Sequence, residues 1–142
     1  MKKAISLHIG LNFIDPAHYG TDGKLKNCVN DARAMENIAK NFGYATTTLL
    51  NNDATSGRLF TELTKAARQL NSGDILFVTY SGHGAQVKDI TNDDEDARDE
   101  TWCMYDRMVI DDELGNAWTQ FKKGVRVIML SDSCHSGTMS RL

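Results

Sequence analysis

Arg126-Val-Ile-Met-Leu-Ser-Asp-Ser-Cys-His-Ser-Gly137 decides how the rest of the chain is read. Val125 to Leu130 is a short run rich in β-branched and aliphatic residues, and it passes directly into polar residues and a glycine. Such a run reads as a buried strand that delivers Cys134 at its carboxyl end. In open α/β sheets that edge is where ligands bind. The question for every other segment is whether it converges on Cys134.

One does so clearly. Ile75 to Tyr80 is a second continuous β-prone run, of the kind buried on both faces of a parallel sheet, and it ends in Ser81-Gly82-His83-Gly84. Working outward, Ile5, Leu7 and Ile9 alternate with polar or small residues and predict a first strand. Val29, Ala32, Met35, Ile38, Ala39 and Phe42 recur at helical spacing from about Asn27, and Gly43 stands where a left-handed cap belongs. Ala45 to Leu50 predicts a second strand. Thr55 then caps a helix with the stripe Leu59, Leu63, Ala66, Ala67 and Leu70, which Asn71-Ser72-Gly73 stops.

Nearly thirty residues after His83 read as a long loop with an acidic patch: Asp89, Asp93, Asp94, Glu95, Asp96, Asp99 and Glu100. Asp111, Asp112 and Glu113 crowd the start of a third helix, where acids suit the macrodipole, and its stripe is Leu114, Ala117, Trp118 and Phe121. Strand and helix alternate, so the expected fold is α/β, a parallel doubly wound sheet with helices on both faces. Both reactive-looking strand ends then lie on one edge.

Composition sets bounds. The 142 residues suit one domain, residues 1–142, with a proper core. A formal charge of −3 gives no general attraction to nucleic acid or to an anionic membrane. Cys28, Cys103 and Cys134 form no C-x-x-C pair and no even-numbered framework, which points to thiols in a reducing cytoplasm. No apolar stretch approaches membrane-spanning length.

A thiol is only a few per cent ionised at neutral pH, so a nucleophilic cysteine needs a base beside it. His83 between two glycines is the candidate; His135 follows Cys134 directly and an extended chain turns it the other way. Nothing ties His8, in a strand, or His18, in a loop, to Cys134. The amides of Gly84 and Cys134 are the natural oxyanion donors.

Tyr80-Ser-Gly-His-Gly84 and Asp132-Ser-Cys-His-Ser-Gly137 resemble the two catalytic motifs of metacaspases, the caspase-like cysteine peptidases. Asn27-Cys-Val-Asn-Asp-Ala32 resembles the segment that supplies part of their S1 pocket. The resemblance implies a caspase-like three-layer α-β-α sandwich with a mostly parallel sheet, here lacking the small-subunit strands. It implies cleavage after Arg or Lys, with Asp31 and Asp132 binding the basic side chain and Cys28 and Ser81 completing the pocket wall. It also implies calcium at Asp99, Asp111 and Asp112, although Ser140 and Arg141 stand where the family has a further aspartate. Finally, it implies a small subunit as partner, as a separate chain or a removed segment, and little activity for this chain by itself. Two other readings are a non-proteolytic caspase-like scaffold and a flavodoxin-like domain with a redox-sensing thiol.

Overall fold

The computed structural model describes residues 2–88 and 98–135, with side chains for 2–84 and 101–132. Strands β1 (Ala4–Gly10), β2 (Ala45–Leu50), β3 (Ile75–Lys88), β4 (Arg98–Cys103), β5 (Met108–Ile110) and β6 (Arg126–His135) form one sheet. Helices α1 (Pro16–Tyr19), α2 (Cys28–Asn41), α3 (Ser56–Gln69) and α4 (Asp111–Trp118) surround it. The order is β2-β1-β3-β4-β5, with β6 also paired to β3. Pairs β1–β2, β1–β3 and β3–β6 are parallel, while β3–β4 and β4–β5 are antiparallel.

The expected α/β sandwich is present, and its two faces differ. Leu7 and Ile9 of β1 join Leu76, Val78 and Tyr80 of β3, Leu59 and Leu63 of α3 and Leu114 of α4 in the main core. Alternation along the strands sends Ser6, His8 and Thr79 to the other face, toward α2. There His8 is fully buried, with Thr79 Oγ1 at 2.8 Å from Nδ1 and Ser6 Oγ at 2.8 Å from Nε2. Both ring nitrogens are occupied and burial lowers its pKa, so His8 is a structural, neutral histidine.

Three expectations need correction. The long loop after His83 is in large part sheet: β3 runs on to Lys88, and β4 and β5 form a hairpin. The acidic residues 89–97 lie outside the described ones. The apolar stripe of α2 is also only partly core. Ala32 and Ala39 are buried, but Ile38 is 47 % and Phe42 78 % exposed, while Glu36 is buried with Arg33 and Lys40 as ion-pair partners. His18, expected in a loop, sits in the one-turn helix α1.

Candidate active site

Three features of the chain bring the predicted residues together. The first is register. Parallel pairing of β3 with β6 sets Ser81 opposite Asp132, His83 opposite Cys134 and Gly84 opposite His135. Paired residues of parallel strands stand on the same face, so His83 and Cys134 share the α2 side of the sheet. The slip of a single residue would have put them on opposite faces.

The second is the start of α2. Cys28 and Asp31 are three apart in its first turn and so lie on one side of the helix. The helix comes down on the end of β1 because Gly10 has no side chain: a Cβ there would sit 2.6 Å from the Cys28 carbonyl oxygen and 2.7 Å from Ala32 Cβ. Asn27, the N-cap residue, makes no side-chain cap. Instead Asn12, in the connection after β1, accepts from the amides of Cys28 at 2.9 Å and Val29 at 3.1 Å. A residue sixteen positions upstream therefore does the capping that sequence places locally.

As a result Cys28, Asp31, Ser81 and Asp132 line one cavity of about 200 Å³, with Leu25, Asn27 and Gly82. Ser81 Oγ donates to Asp31 Oδ2 at 3.2 Å, which orients that carboxylate. Lys26 also borders the cavity, and two carboxylates against one ammonium leave it net negative. A second cavity of about 210 Å³, between α2 and β6, shares Asp31, Ser81 and Asp132 with the first and adds Met35, Thr79 and Leu130.

The third feature is the loop between α1 and α2. Gly23, at φ +52°, turns its carbonyl oxygen to 2.5 Å from Nε2 of His83. A carbonyl only accepts, so Nε2 carries a proton, and in the neutral ring the lone pair is then on Nδ1. Nδ1 is buried and has no hydrogen-bond partner among the described residues. That is the state required of a general base. Sequence reasoning missed Gly23. Its Asp22-Gly23 dipeptide signals a turn, but no sequence pattern reports where a backbone carbonyl will point.

Gly84 is buried, and its backbone and that of Cys134 lie one step apart in the β3–β6 ladder. Thr101 pairs with Ile110, so the backbone places Asp99 and the Asp111–Asp112 pair at one end of the β4–β5 hairpin. The side chain of Asp99 lies outside the described residues. Among the described residues no three His, Cys, Asp or Glu side chains converge to hold a metal. No helix among them is long and apolar enough to cross a membrane.

The profile of the metacaspase, peptidase C14 domain matches residues 2–142. Metacaspase-1 of Botryotinia fuckeliana (strain B05.10) is 34 % identical over 151 residues, covering 96 % of this chain and 35 % of that protein. Metacaspase-1 of Saccharomyces cerevisiae (strain ATCC 204508 / S288c) is 32 % identical over 149 residues, covering 94 % of this chain and 33 % of that protein. A crystal structure of a protein from Geobacter sulfurreducens superposes with a TM-score of 0.86 at 50 % identity, covering 95 % of this chain and 52 % of that one. The chain thus spans about a third of the length of the curated relatives it matches.

Proposed function

The chain belongs to the metacaspase family, and we propose that it carries the nucleophile, base and S1 pocket of a cysteine endopeptidase that cuts after Arg or Lys. The observation that carries the reading is the in-register pair His83 and Cys134 on the neighbouring strands β3 and β6, with Nδ1 of the histidine available. In the reaction His83 takes the Cys134 proton at Nδ1, and the thiolate attacks the scissile carbonyl carbon. Hydrogen bonding of Nε2–H to the Gly23 carbonyl holds the ring and stabilises the imidazolium that forms. The amides of Gly84 and Cys134 are the proposed oxyanion donors, worth about 10²- to 10³-fold each. Both face the β3–β6 ladder and would leave it to receive the oxyanion. The imidazolium then protonates the leaving amine. Water, deprotonated by the same imidazole, hydrolyses the thioester and restores the thiol.

Charge in the 200 Å³ cavity supports specificity for a basic residue. Asp31 and Asp132 would accept charge-assisted hydrogen bonds from a guanidinium or ammonium group, whereas an aspartate at P1 would meet two like charges. Calcium, at Asp99, Asp111 and Asp112, would draw together the hairpin and the start of α4. It takes six to eight oxygens, of which three carboxylates supply three to six, so backbone carbonyls, water or other side chains would complete the shell. The chain itself is proposed to work in the cytoplasm.

We assign the exposed edge of β6 to a caspase-type small subunit, contributed as a continuing segment or as a separate chain. Ile128, Met129 and Leu130 are 49 %, 42 % and 51 % exposed, so apolar side chains of this strand are uncovered on both faces. Among the described residues β6 pairs with β3 alone. An apolar strand with an open edge invites another strand.

The test is cleavage of fluorogenic peptides bearing Arg, Lys or Asp at P1, with and without calcium, by this chain alone and with its completing strands. Cys134→Ala should abolish turnover. Asp31→Asn and Asp132→Asn should each lower kcat/KM for Arg by about 10- to 10²-fold, the size of one charge-assisted hydrogen bond. Preference for Asp would overturn the pocket assignment. Indifference to calcium would remove the metal, and no cleavage by the completed assembly would favour a scaffold.

A further inference from the structure

Beneath the dyad, on the opposite face of the sheet, two aromatic rings cross both reactive strands. Their position follows from a change of neighbours. β3 pairs with β1 as far as Ser81 and with β4 only from Gly84. Gly84 also pairs with His135 of β6, so β4 takes up the side that β1 leaves. Ser81 O still accepts from the amide of Leu11 at 3.0 Å. Carbonyls along a strand point alternately to its two sides, so the His83 carbonyl, two residues on, points into the interval between β1 and β4. Buried carbonyls need a donor.

The hydroxyl of Tyr80 supplies it. Its oxygen lies 2.6 Å from His83 O and 3.0 Å from Cys103 O, so one phenolic hydrogen serves two carbonyls on two strands. Burial pushes the phenol pKa well above its ordinary range, so the hydrogen is retained. The ring reaches this place only because residue 82 is glycine: a Cβ there would be 2.7 Å from the Tyr80 hydroxyl oxygen and 2.9 Å from Cζ. Trp102 of β4 then stacks on Tyr80, with centroids 4.7 Å apart and planes 5° from parallel. The indole Nε1–H continues to Ser131 Oγ at 3.0 Å. Ser131 is the β6 partner of Tyr80 and directly precedes Asp132.

We infer that Tyr80, backed by Trp102, is a positioning residue of the reaction: its hydroxyl holds the His83 carbonyl, and with it the backbone that carries the imidazole and the Gly84 amide. The stack ties this support to the strand of Cys134. The inference rests on the peptidase reading for its catalytic consequence, but the placement of the imidazole is measurable without turnover.

Tyr80→Phe keeps the ring and the stack and removes the hydroxyl. In the completed assembly, on a fluorogenic peptide with Arg at P1, kcat should fall about 10- to 10²-fold, as sub-ångström misplacement of a base does. KM should stay within about twofold, because the pocket is untouched. In the chain alone, imidazole ¹⁵N spectra should show His83 leaving its single Nε2–H tautomer for a mixture. Ser56→Ala, which removes a buried hydroxyl bond to Asp106 at the start of α3, provides a control for lost stability. It should lower the melting temperature without moving the His83 signals. Should Tyr80→Phe fail to fold, Ser131→Ala, at the exposed end of the relay, should shift the same signals in the same direction by less. Unchanged His83 signals in the Tyr80 or Ser131 variant overturn the inference. Equal shifts in Ser56→Ala overturn it too. A wild type that cleaves nothing, with the Tyr80→Phe shift still present, sinks the peptidase reading and leaves the placement of His83 by Tyr80 standing.

Discussion

Replacing Gly23 by alanine tests the reading of the base most directly. An added Cβ would lie 2.9 Å from Nε2 and 3.2 Å from Cδ2 of His83 and 3.2 Å from Cδ1 of Ile14, which is itself fully buried. Ordinary contact at about 3.4 Å requires the imidazole to retreat by roughly half an ångström, away from the carbonyl that fixes its tautomer. Alanine at φ +52° also costs on the order of 1–2 kcal/mol of stability, because Cβ crowds the following carbonyl. These two effects are separable. Gly20, at φ +78°, has nothing within 4 Å of its would-be Cβ, so Gly20→Ala carries the backbone cost without touching the imidazole. Urea denaturation should show a loss for both variants, larger for Gly23→Ala by the cost of its crowded contacts. Steady-state hydrolysis by the completed assembly should separate them: kcat for Gly23→Ala falls about 10²-fold with KM little changed, and Gly20→Ala stays near wild type. Equal kcat for the two variants would refute the assignment of the Gly23 carbonyl as the partner that orients His83.

Two further outcomes follow from the environments of single groups. Burial pushes the Cys103 thiol up to about 11, so at pH 7.5 its thiolate is a very small fraction and iodoacetamide should leave it intact in the folded chain while modifying Cys134. Peptide mass spectrometry after a timed reaction checks this, and fast labelling of Cys103 would contradict its burial. Asp74 accepts from the amides of Asn71 and Lys3, each at 2.8 Å, and these bonds hold its pKa below the ordinary carboxylate value. Its contribution is therefore fully present above the unfolded-state pKa near 3.9 and is lost as pH falls through the lower folded-state value. Asp74→Asn should destabilise the chain at pH 7 and flatten its acid denaturation curve, as measured by urea titration at a series of pH values.

Much of the site was legible because strands and helices are periodic. A run such as Ile75–Tyr80 followed by Ser-Gly-His-Gly marks the carboxyl-terminal part of a strand, and two such parts in parallel strands must lie toward one edge, although β3 itself runs on to Lys88. Local spacing likewise put Cys28 and Asp31 on one side of a helix. Long-range pairing was not legible in the same way. Arg98–Cys103 reads as a charged loop because its strand character comes from pairing with β3 and β5. The apolar stripe of α2 was overestimated because Ile38 and Phe42 fit the period yet stay exposed, whereas Glu36 is buried with basic neighbours.

By itself, then, the sequence determined the layered fold and singled out the residues proposed as nucleophile, base and pocket acids, since side-chain identity and periodicity are written in it. Only the tertiary structure decided how those groups are aimed. The Gly23 carbonyl chooses the proton-bearing nitrogen of His83, Asn12 caps a helix sixteen residues away, and Tyr80 holds the carbonyl between two strands. Each is a contact of a backbone group, the first two with a residue distant along the chain and the third with a ring three positions away that Trp102 of β4 holds in place. Backbone groups are chemically alike at nearly every residue, so their partners become visible only when the chain has folded.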